Sequence, residues 1–440
     1  MRPRPVENGT GRPVGRPSPD RPARRPAFDR EVSALHPELE FDVAIVGAGF
    51  AGVYMLYRSR QLGLSARVFE VGSGVGGTWY WNRYPGARCD IESLEYSYQF
   101  SERLQQEWEW TERFASQPEI LRYLNHVVDR FDLRRDIQLS TRVQAASFDE
   151  PSGRWQVATD GGAVSARFCV MATGCLSSTH TPRFEGMERF EGATYHTGSW
   201  PHEGVDFRGR RVGIVGTGSS AIQSIPLIAA QAAHLTVFQR TPAYSVPAGN
   251  GPLDPEEQRR VKADYAGFRR RNAQQPFGAA FGPGEHAAFE LAPEEREREL
   301  ELRWRHGGLR YMATFRDLML DRAANETAAE FVRAKIRATV RDPALADALS
   351  PHTVIGCKRL CADSGYFETF NRPNVTLVDV STATIEAITP RGLRTQGADY
   401  ALDCIVFATG FDAMTGSLFA VDLRGRGGVS LREKWAEGPR

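Results

Sequence analysis

Two glycine-rich turns, each wedged between an apolar strand and a helical pattern, restrict this chain more than any other feature. The first lies in "FDVAIVGAGFAGVYMLYRSRQLGLSARVFE". Phe41 to Val46 is a short apolar run, the shape of a buried parallel strand. Gly47, Gly49 and Gly52 follow as G-x-G-x-x-G, then a helical pattern through Tyr54, Leu56 and Leu62, then a second strand, Ala66 to Phe69, ending at Glu70. This is a complete dinucleotide unit. The glycines let backbone approach a pyrophosphate, the helix N-terminus favours its charge, and an acidic residue after the second strand reads ribose hydroxyls. Glu70, 23 positions after Gly47, is expected in that role.

The unit recurs in "RRVGIVGTGSSAIQSIPLIAAQAAHLTVFQRTP". A strand at Val212 to Val215 leads into Gly216, Gly218 and Ala221, and a second strand, Leu235 to Phe238, ends at Gln239-Arg240-Thr241. Arg240 stands 24 positions after Gly216, where the first module has Glu70. A carboxylate there repels a 2′-phosphate, whereas an arginine pairs with it. The first module is therefore expected to take FAD and the second NADPH. Each module has a later apolar strand running into Ala-Thr-Gly, "FCVMATG" at 168–174 and "CIVFATGFDA" at 404–413, where glycine lets the chain turn close to a bound dinucleotide.

The expected fold is α/β, with two Rossmann-like dinucleotide-binding domains and a helical insertion. Residues 1–40 are rich in Arg and Pro and poor in large apolar side chains, so a disordered tail is expected. Arg24-Arg25 in it is followed by no apolar stretch of the kind an export signal needs. Residues 41–176 with 403–440 are assigned to the FAD domain, and 177–250 with 352–402 to the NADP domain. Residues 251–351 alternate in charge, with apolar residues recurring at three and four and no obvious strand, and form a mainly helical insertion. A net charge of +1 gives no reason to expect nucleic acid, and no apolar run is long enough to span a bilayer. The six cysteines show no metal-ligand spacing, so no metal site is expected, and reduced thiols point to the cytoplasm.

Two further stretches carry a resemblance. "FEGATYHTGSWP" supplies Phe190, Gly192, His196, Trp200 and Pro201 in the pattern F-x-G-x-x-x-H-x-x-x-W-[PD]. "GGTWYWNRYPGARCD", Gly76 to Asp90, fits [AG]-G-x-W-x-x-x-x-[FY]-P-[GM]-x-x-x-D. From about Phe41 to Arg440 the chain resembles type I Baeyer–Villiger monooxygenases, phenylacetone and steroid monooxygenases in particular. The resemblance implies that NADPH reduces FAD, that the reduced flavin takes up O2, and that one oxygen atom is inserted beside a ketone carbonyl to give an ester or lactone. It implies that Arg359, in "GCKRL", stabilises the negative charge developed on oxygen, that Asp90 positions Arg359, and that Lys358 joins Arg240 on the NADP 2′-phosphate. It extends the cofactor contacts to Thr78, Trp79, Asp90, Tyr96 and Val143 for FAD, and to Thr217, Ser219, Ser220, Ala221, Gln223, Thr241 and Arg359 for NADP. Trp79 and its neighbours are expected to form an aromatic wall against the flavin. His196 is expected to act as a post on the linker between domains, with Phe190 and Trp200 as packing anchors. A local Arg88–Asp90 ion pair and a solvated Lys358-Arg359 remain open alternatives. So do oxygenation of amines or sulfides, and an inactive dinucleotide-binding fragment. Members of the family continue beyond "LREKWAEGPR", so an incomplete FAD domain with weakened flavin binding is expected. A monomer acting on a small ketone and O2, without nucleic acid or membrane as partner, completes the reading.

Overall fold

The computed structural model describes residues 39–439. The expected Arg/Pro-rich tail lies outside these, except that Leu39 and Glu40 already belong to the first strand, Leu39–Val46. That strand pairs in parallel with Ala66–Phe69 on one side and Gly162–Met171 on the other. The sheet runs, from one edge to the other, Asp422–Arg424, Val143–Asp149, Arg154–Thr159, Gly162–Met171, Leu39–Val46, Ala66–Phe69, Ile137–Gln138. Val43 and Ile45 pack against helical Val53, Leu56, Ile120 and Leu124, and Ala44 and Val46 against Val143, Ala146, Val157 and Val164, so both faces are covered, which is why that strand is apolar without alternation. The three strands from Val143 to Met171 form an antiparallel meander.

The second sheet is wholly parallel, in the order Val375–Asp379, His234–Gln239, Arg211–Val215, Cys404–Phe407, Ala193–His196. Here the domain boundary expected at 403 is corrected. Cys404–Phe407 pairs in register with both Arg211–Val215 and Ala193–His196, so it closes the second module. Its four residues are all buried, and only a central position between two parallel strands covers both faces of so apolar a run. The chain returns to the first sheet only at Asp422–Arg424.

The two fingerprint glycines explain the paired Ala-Thr-Gly stretches. Gly47 and Gly216 have φ of +103° and +112°. A Cβ on Gly47 would lie 2.6 Å from the Ala172 carbonyl oxygen, and one on Gly216 would lie 2.5 Å from that of Ala408. Each Ala-Thr-Gly therefore begins where its strand presses on its module's first glycine, a contact only hydrogen at Cα allows.

The insertion is helical, with Pro255–Ala263, Tyr265–Ala273, Pro293–His306, Arg322–Thr339 and Pro343–Leu349 and, among the described residues, no strand between 251 and 351. It is not one body, however. Leu253, Val261 and Tyr265 pack into the first module's core with Ile120 and Tyr123. Leu300, Tyr311, Val332 and Ile336 pack into the second module's core. The insertion thus straddles both modules, because its apolar residues are divided between two helix sets that face different neighbours.

Polar contacts reinforce the first of these seams. Arg269 donates to the Glu95 and Ser97 carbonyls, and Glu95 accepts from the Ala280 N–H at 2.9 Å. Burial, with the nearby Glu92 charge, pushes the Glu95 carboxyl up to about 7. A carboxyl raised on folding lends its full stability below its unfolded value and loses it as pH rises through the folded one. Glu95→Gln keeps an acceptor for Ala280 and removes the buried charge. It is expected to match the parent at pH 4.5 and to exceed it by on the order of 2 kcal/mol at pH 8. Denaturant melts at the two pH values check this; a variant less stable than the parent at pH 8 contradicts it.

Candidate active site at the junction of the two modules

Arg359 comes from the second module's side and Asp90 from the first. The Arg359 Nε and Nη2 donate to the two Asp90 carboxylate oxygens, each at 2.7 Å. The Asp90 side chain is 17% exposed and that of Arg359 58%. The fork geometry fixes the guanidinium plane and leaves its remaining N–H groups facing outward from the pair. Hydrogen bonding to Asp90 holds Arg359 above its usual value, so it stays cationic. Burial pushes the flanking Cys89 and Cys361 thiols up to about 12, so neither is an anion that competes for it. The Arg88–Asp90 ion pair is not formed: Arg88 pairs with Glu112 and donates to the Phe114 carbonyl at 2.8 Å. Nor is Arg359 merely solvated; Lys358 beside it is exposed.

The aromatic stretch does not build one wall. Its rings are shared among several neighbours. Trp79 donates from Nε1 to the Tyr96 hydroxyl at 3.0 Å, with the two rings near perpendicular. Tyr80 sits against Gly72 and Gly74, where any Cβ would come within 3 Å of its ring, and its hydroxyl accepts from the Ser73 N–H. The Trp81 carbonyl accepts from the Trp200 N–H at 3.4 Å, which joins the two family motifs directly. Tyr84 reaches across to the second module, where its hydroxyl donates to Gln223 Oε1 at 2.9 Å. Thr78 opens the short helix Thr78–Trp81, whose end is fixed by Asn82 bonding back to the Thr78 carbonyl.

Each nucleotide fingerprint has a shape that fits its group. In the first, a Cβ on Gly52 would lie 1.8 Å from the Gly47 carbonyl oxygen, so the turn closes only on glycine. Glu70 is buried, with Oε2 accepting from the Ala48 N–H at 2.7 Å and Oε1 from the Gly72 N–H at 2.8 Å. It therefore braces the glycine loop from behind, a role its spacing does not announce, while each oxygen retains a lone pair. Gly49 lies against Gly77, leaving backbone alone at the helix N-terminus. Val143 is buried at the start of its strand in the same sheet. In the second fingerprint, a Cβ on Gly218 would meet nothing within 4 Å, so this turn opens onto free space at the N-terminus of Ser219–Ala229. Thr217 donates to the Thr241 carbonyl at 2.9 Å, and Arg240 is exposed beside it. The parallel pair Ser245–Pro247 with Cys361–Asp363 then ties the segment after Arg240 to the segment after Lys358-Arg359. A buried bond from Ser245 to Asp363 at 2.6 Å locks that pair. Ser220 meets Thr197 at 3.1 Å, and Ala221 is buried in the helix.

His196 is a post. Its Nδ1 accepts from the Gly198 N–H at 3.0 Å, and its Nε2 faces Thr409 Oγ1 at 3.3 Å. Thr409 donates in turn to the His180 carbonyl. Both ring nitrogens are engaged, and burial lowers the ring below its usual value. Trp200 is buried against Tyr195 and Phe207, and Phe190 packs at the edge of the second sheet. Among the described residues there is no cluster of three metal-ligating side chains, all six cysteines are free, and no helix is long and apolar enough to cross a membrane.

Comparison with known proteins places the fold and the family. Residues 44–265 match the family model described as pyridine nucleotide-disulphide oxidoreductase. A Baeyer–Villiger monooxygenase of Pseudooceanicola batsensis is 44% identical over 405 residues, covering 91% of this chain and 74% of the relative. The solved structure of an oxidised steroid monooxygenase bound to NADP superposes with a TM-score of 0.88 at 55% identity, over 91% of this chain and 77% of that one. That of OTEMO in complex with FAD and NADP gives a TM-score of 0.88 at 41% identity, over 92% and 77%. With this identity sustained across both modules and the linker between them, the chain belongs to the Baeyer–Villiger monooxygenase family.

Proposed function

We propose that the protein is an NADPH- and FAD-dependent monooxygenase that inserts one oxygen atom from O2 next to a ketone carbonyl, giving an ester or lactone. The observation that carries this is the Asp90–Arg359 fork, a fixed cation at the seam of two dinucleotide modules. The glycine turns that only hydrogen can close, and the open N-terminus at Gly218, support FAD in the first module and NADP in the second. When bound, these cofactors supply hydride transfer and the activation of O2, chemistry no side chain here offers.

The chain's own residues then have defined tasks. Gly47, Gly49 and Gly52 bring backbone amides to a pyrophosphate, and Glu70 holds that loop while its remaining lone pairs face ribose hydroxyls. Thr217, Gly218, Ser219 and Ser220 do the same at the second helix, with Arg240 and Lys358 on a 2′-phosphate. Trp79 and Tyr96, bonded to one another, exclude water on one side of the junction. Arg359 presents a preorganised positive charge to oxygen as it becomes negative, and Asp90 sets its direction. The domain assignment that follows is a FAD domain from 39 to 176 completed by 413–439, and a NADP domain from 177 to 250 completed by 352–412.

The test is product analysis. Purified protein with FAD, NADPH and a panel of arylacetones, cyclic ketones and steroid ketones is expected to give esters or lactones carrying one 18O atom from labelled O2. Thioether and tertiary-amine oxides formed without any ester or lactone would replace this reading with the heteroatom-oxygenating one.

A further inference from the structure

Gln223 lies one turn into the helix Ser219–Ala229, on the second module, and its side-chain amide is used at both ends by the first module. Its Oε1 accepts from the Tyr84 hydroxyl at 2.9 Å, and its Nε2 donates to the Arg88 carbonyl at 3.2 Å. Between these two points the loop touches the helix backbone: Gly86, at φ +82°, would place a Cβ 2.5 Å from the Gln223 carbonyl oxygen. Burial, with the Asp90 charge, holds the Tyr84 phenol well above its usual value. It stays protonated, and the Arg88 carbonyl, which can only accept, fixes the amide with its nitrogen toward Arg88 and its oxygen toward Tyr84.

Two residues after Arg88 the same loop presents Asp90, and Asp90 holds Arg359, which again belongs to the second module. The loop from Tyr84 to Asp90 is therefore fastened to the second module at both of its ends. We propose that Gln223 is a positioning residue, a latch between the modules that sets Asp90, and through it Arg359, in register with the helix whose N-terminus receives NADP. The inference rests on the function proposed above for Arg359, and it assigns Gln223 to the loop instead of to the coenzyme.

The physical case is geometric. A half-exposed guanidinium held by one carboxylate points wherever that carboxylate is carried. Asp90 is carried by a loop whose turn, Ala87 N–H to the Tyr84 carbonyl at 3.0 Å, is closed by Gly86 against the helix. On its own module that loop is held by Arg88 to Glu112 and by the Cys89 N–H to the Ala115 carbonyl. On the other, among the described residues, its side-chain hydrogen bonds before Arg359 go to Gln223, and the Tyr84 ring packs against the second module's core. Helix and loop thus move together, and a shift of the helix on coenzyme binding reaches Arg359 without any contact between coenzyme and loop.

The experiment uses the full chain with Tyr84→Phe, Gln223→Leu and the double variant. Tyr84→Phe removes one hydroxyl and keeps the buried ring, so it remains informative where Gln223→Leu fails to fold. Amide hydrogen exchange across 84–91 is expected to accelerate about tenfold in Tyr84→Phe, which loses one hydrogen bond, at least as much in Gln223→Leu, which loses two, and in the double variant no further than in Gln223→Leu. NADP+ affinity, read by titration calorimetry, is expected to change less than about threefold, and ester formed per NADPH consumed to fall by about tenfold with KM for NADPH nearly constant. Exchange unchanged at 84–91 in Tyr84→Phe, or NADP+ affinity lost tenfold or more in Gln223→Leu with exchange unmoved, overturns the latch and returns Gln223 to the coenzyme. Exchange and NADP+ affinity do not depend on ketone chemistry, so a parent that makes no ester or lactone defeats the function proposed above while these two readouts still decide the latch.

Discussion

Arg359→Ala is expected to lower ester or lactone formation by roughly 10²- to 10³-fold, the cost of removing one preorganised charge from where negative charge develops. Flavin content, read from visible absorbance, is expected to be unchanged, because no described contact of Arg359 supports the first fingerprint. NADPH consumption is expected to continue without product. Since Asp90 holds Arg359 above its usual value, the parent's arginine is charged across any working pH, and lowering the pH does not restore the variant. Two companions resolve the cause. Arg359→Lys keeps a charge but cannot make the two parallel bonds that Asp90 accepts, so it is expected to recover only part of the activity. Asp90→Ala leaves the guanidinium present but undirected, and is expected to fall between Arg359→Lys and Arg359→Ala. Ester formed at the parental rate by Arg359→Ala would remove this residue from the mechanism.

The sequence made the modules legible because dinucleotide binding imposes local rules. A strand, a turn closed by glycine and a helix are contiguous, and both units appear where the spacing places them, with Arg211–Val215 and His234–Gln239 each within a residue of the expected bounds. Long-range partition was harder. Cys404–Phe407 reads as an apolar strand wherever it goes, and nothing in four residues says which sheet it enters; its pairing with Ala193–His196, two hundred residues earlier, decides that. The insertion's division between two cores is likewise invisible in a periodicity that marks helices but not their neighbours.

The site divides in the same way. The Asp90–Arg359 pair was reachable only through a resemblance, since 269 positions separate its members and each residue alone has an ordinary surface explanation. Gln223, Glu112 and Asn250 were beyond reach in their structural roles. The bond from Asn250 to Glu112, which supports the carboxylate holding Arg88, spans 138 positions and has no motif. Glu70 was identified from its spacing, yet its bonds to Ala48 and Gly72 give it a second task that spacing does not encode.

Coenzyme choice is where a single exposed side chain is expected to matter most. Gln239, just before Arg240, is buried and donates to the Ala348 carbonyl at 2.7 Å, and Thr241, just after it, accepts from Thr217 of the fingerprint. Arg240 is thus held between two fixed neighbours and faces outward at the end of its strand, beside the turn that opens at Gly218. Only the 2′-phosphate distinguishes NADPH from NADH, so a residue that reads it changes one coenzyme's affinity and not the other's. Arg240→Ala is expected to raise KM for NADPH by roughly 10- to 150-fold, the range for loss of a charge-assisted bond, and to leave KM for NADH within about twofold. Lys358→Ala is expected to act in the same direction with a smaller effect, because an ammonium offers a point charge and not a fork. Both effects should shrink as ionic strength rises, since the side chains are exposed and screened. Steady-state kinetics with both coenzymes at low and moderate salt make the comparison. Equal weakening toward NADPH and NADH would mean that Arg240 shapes the turn without reading the phosphate, and coenzyme selection would then have to be sought in Lys358 alone.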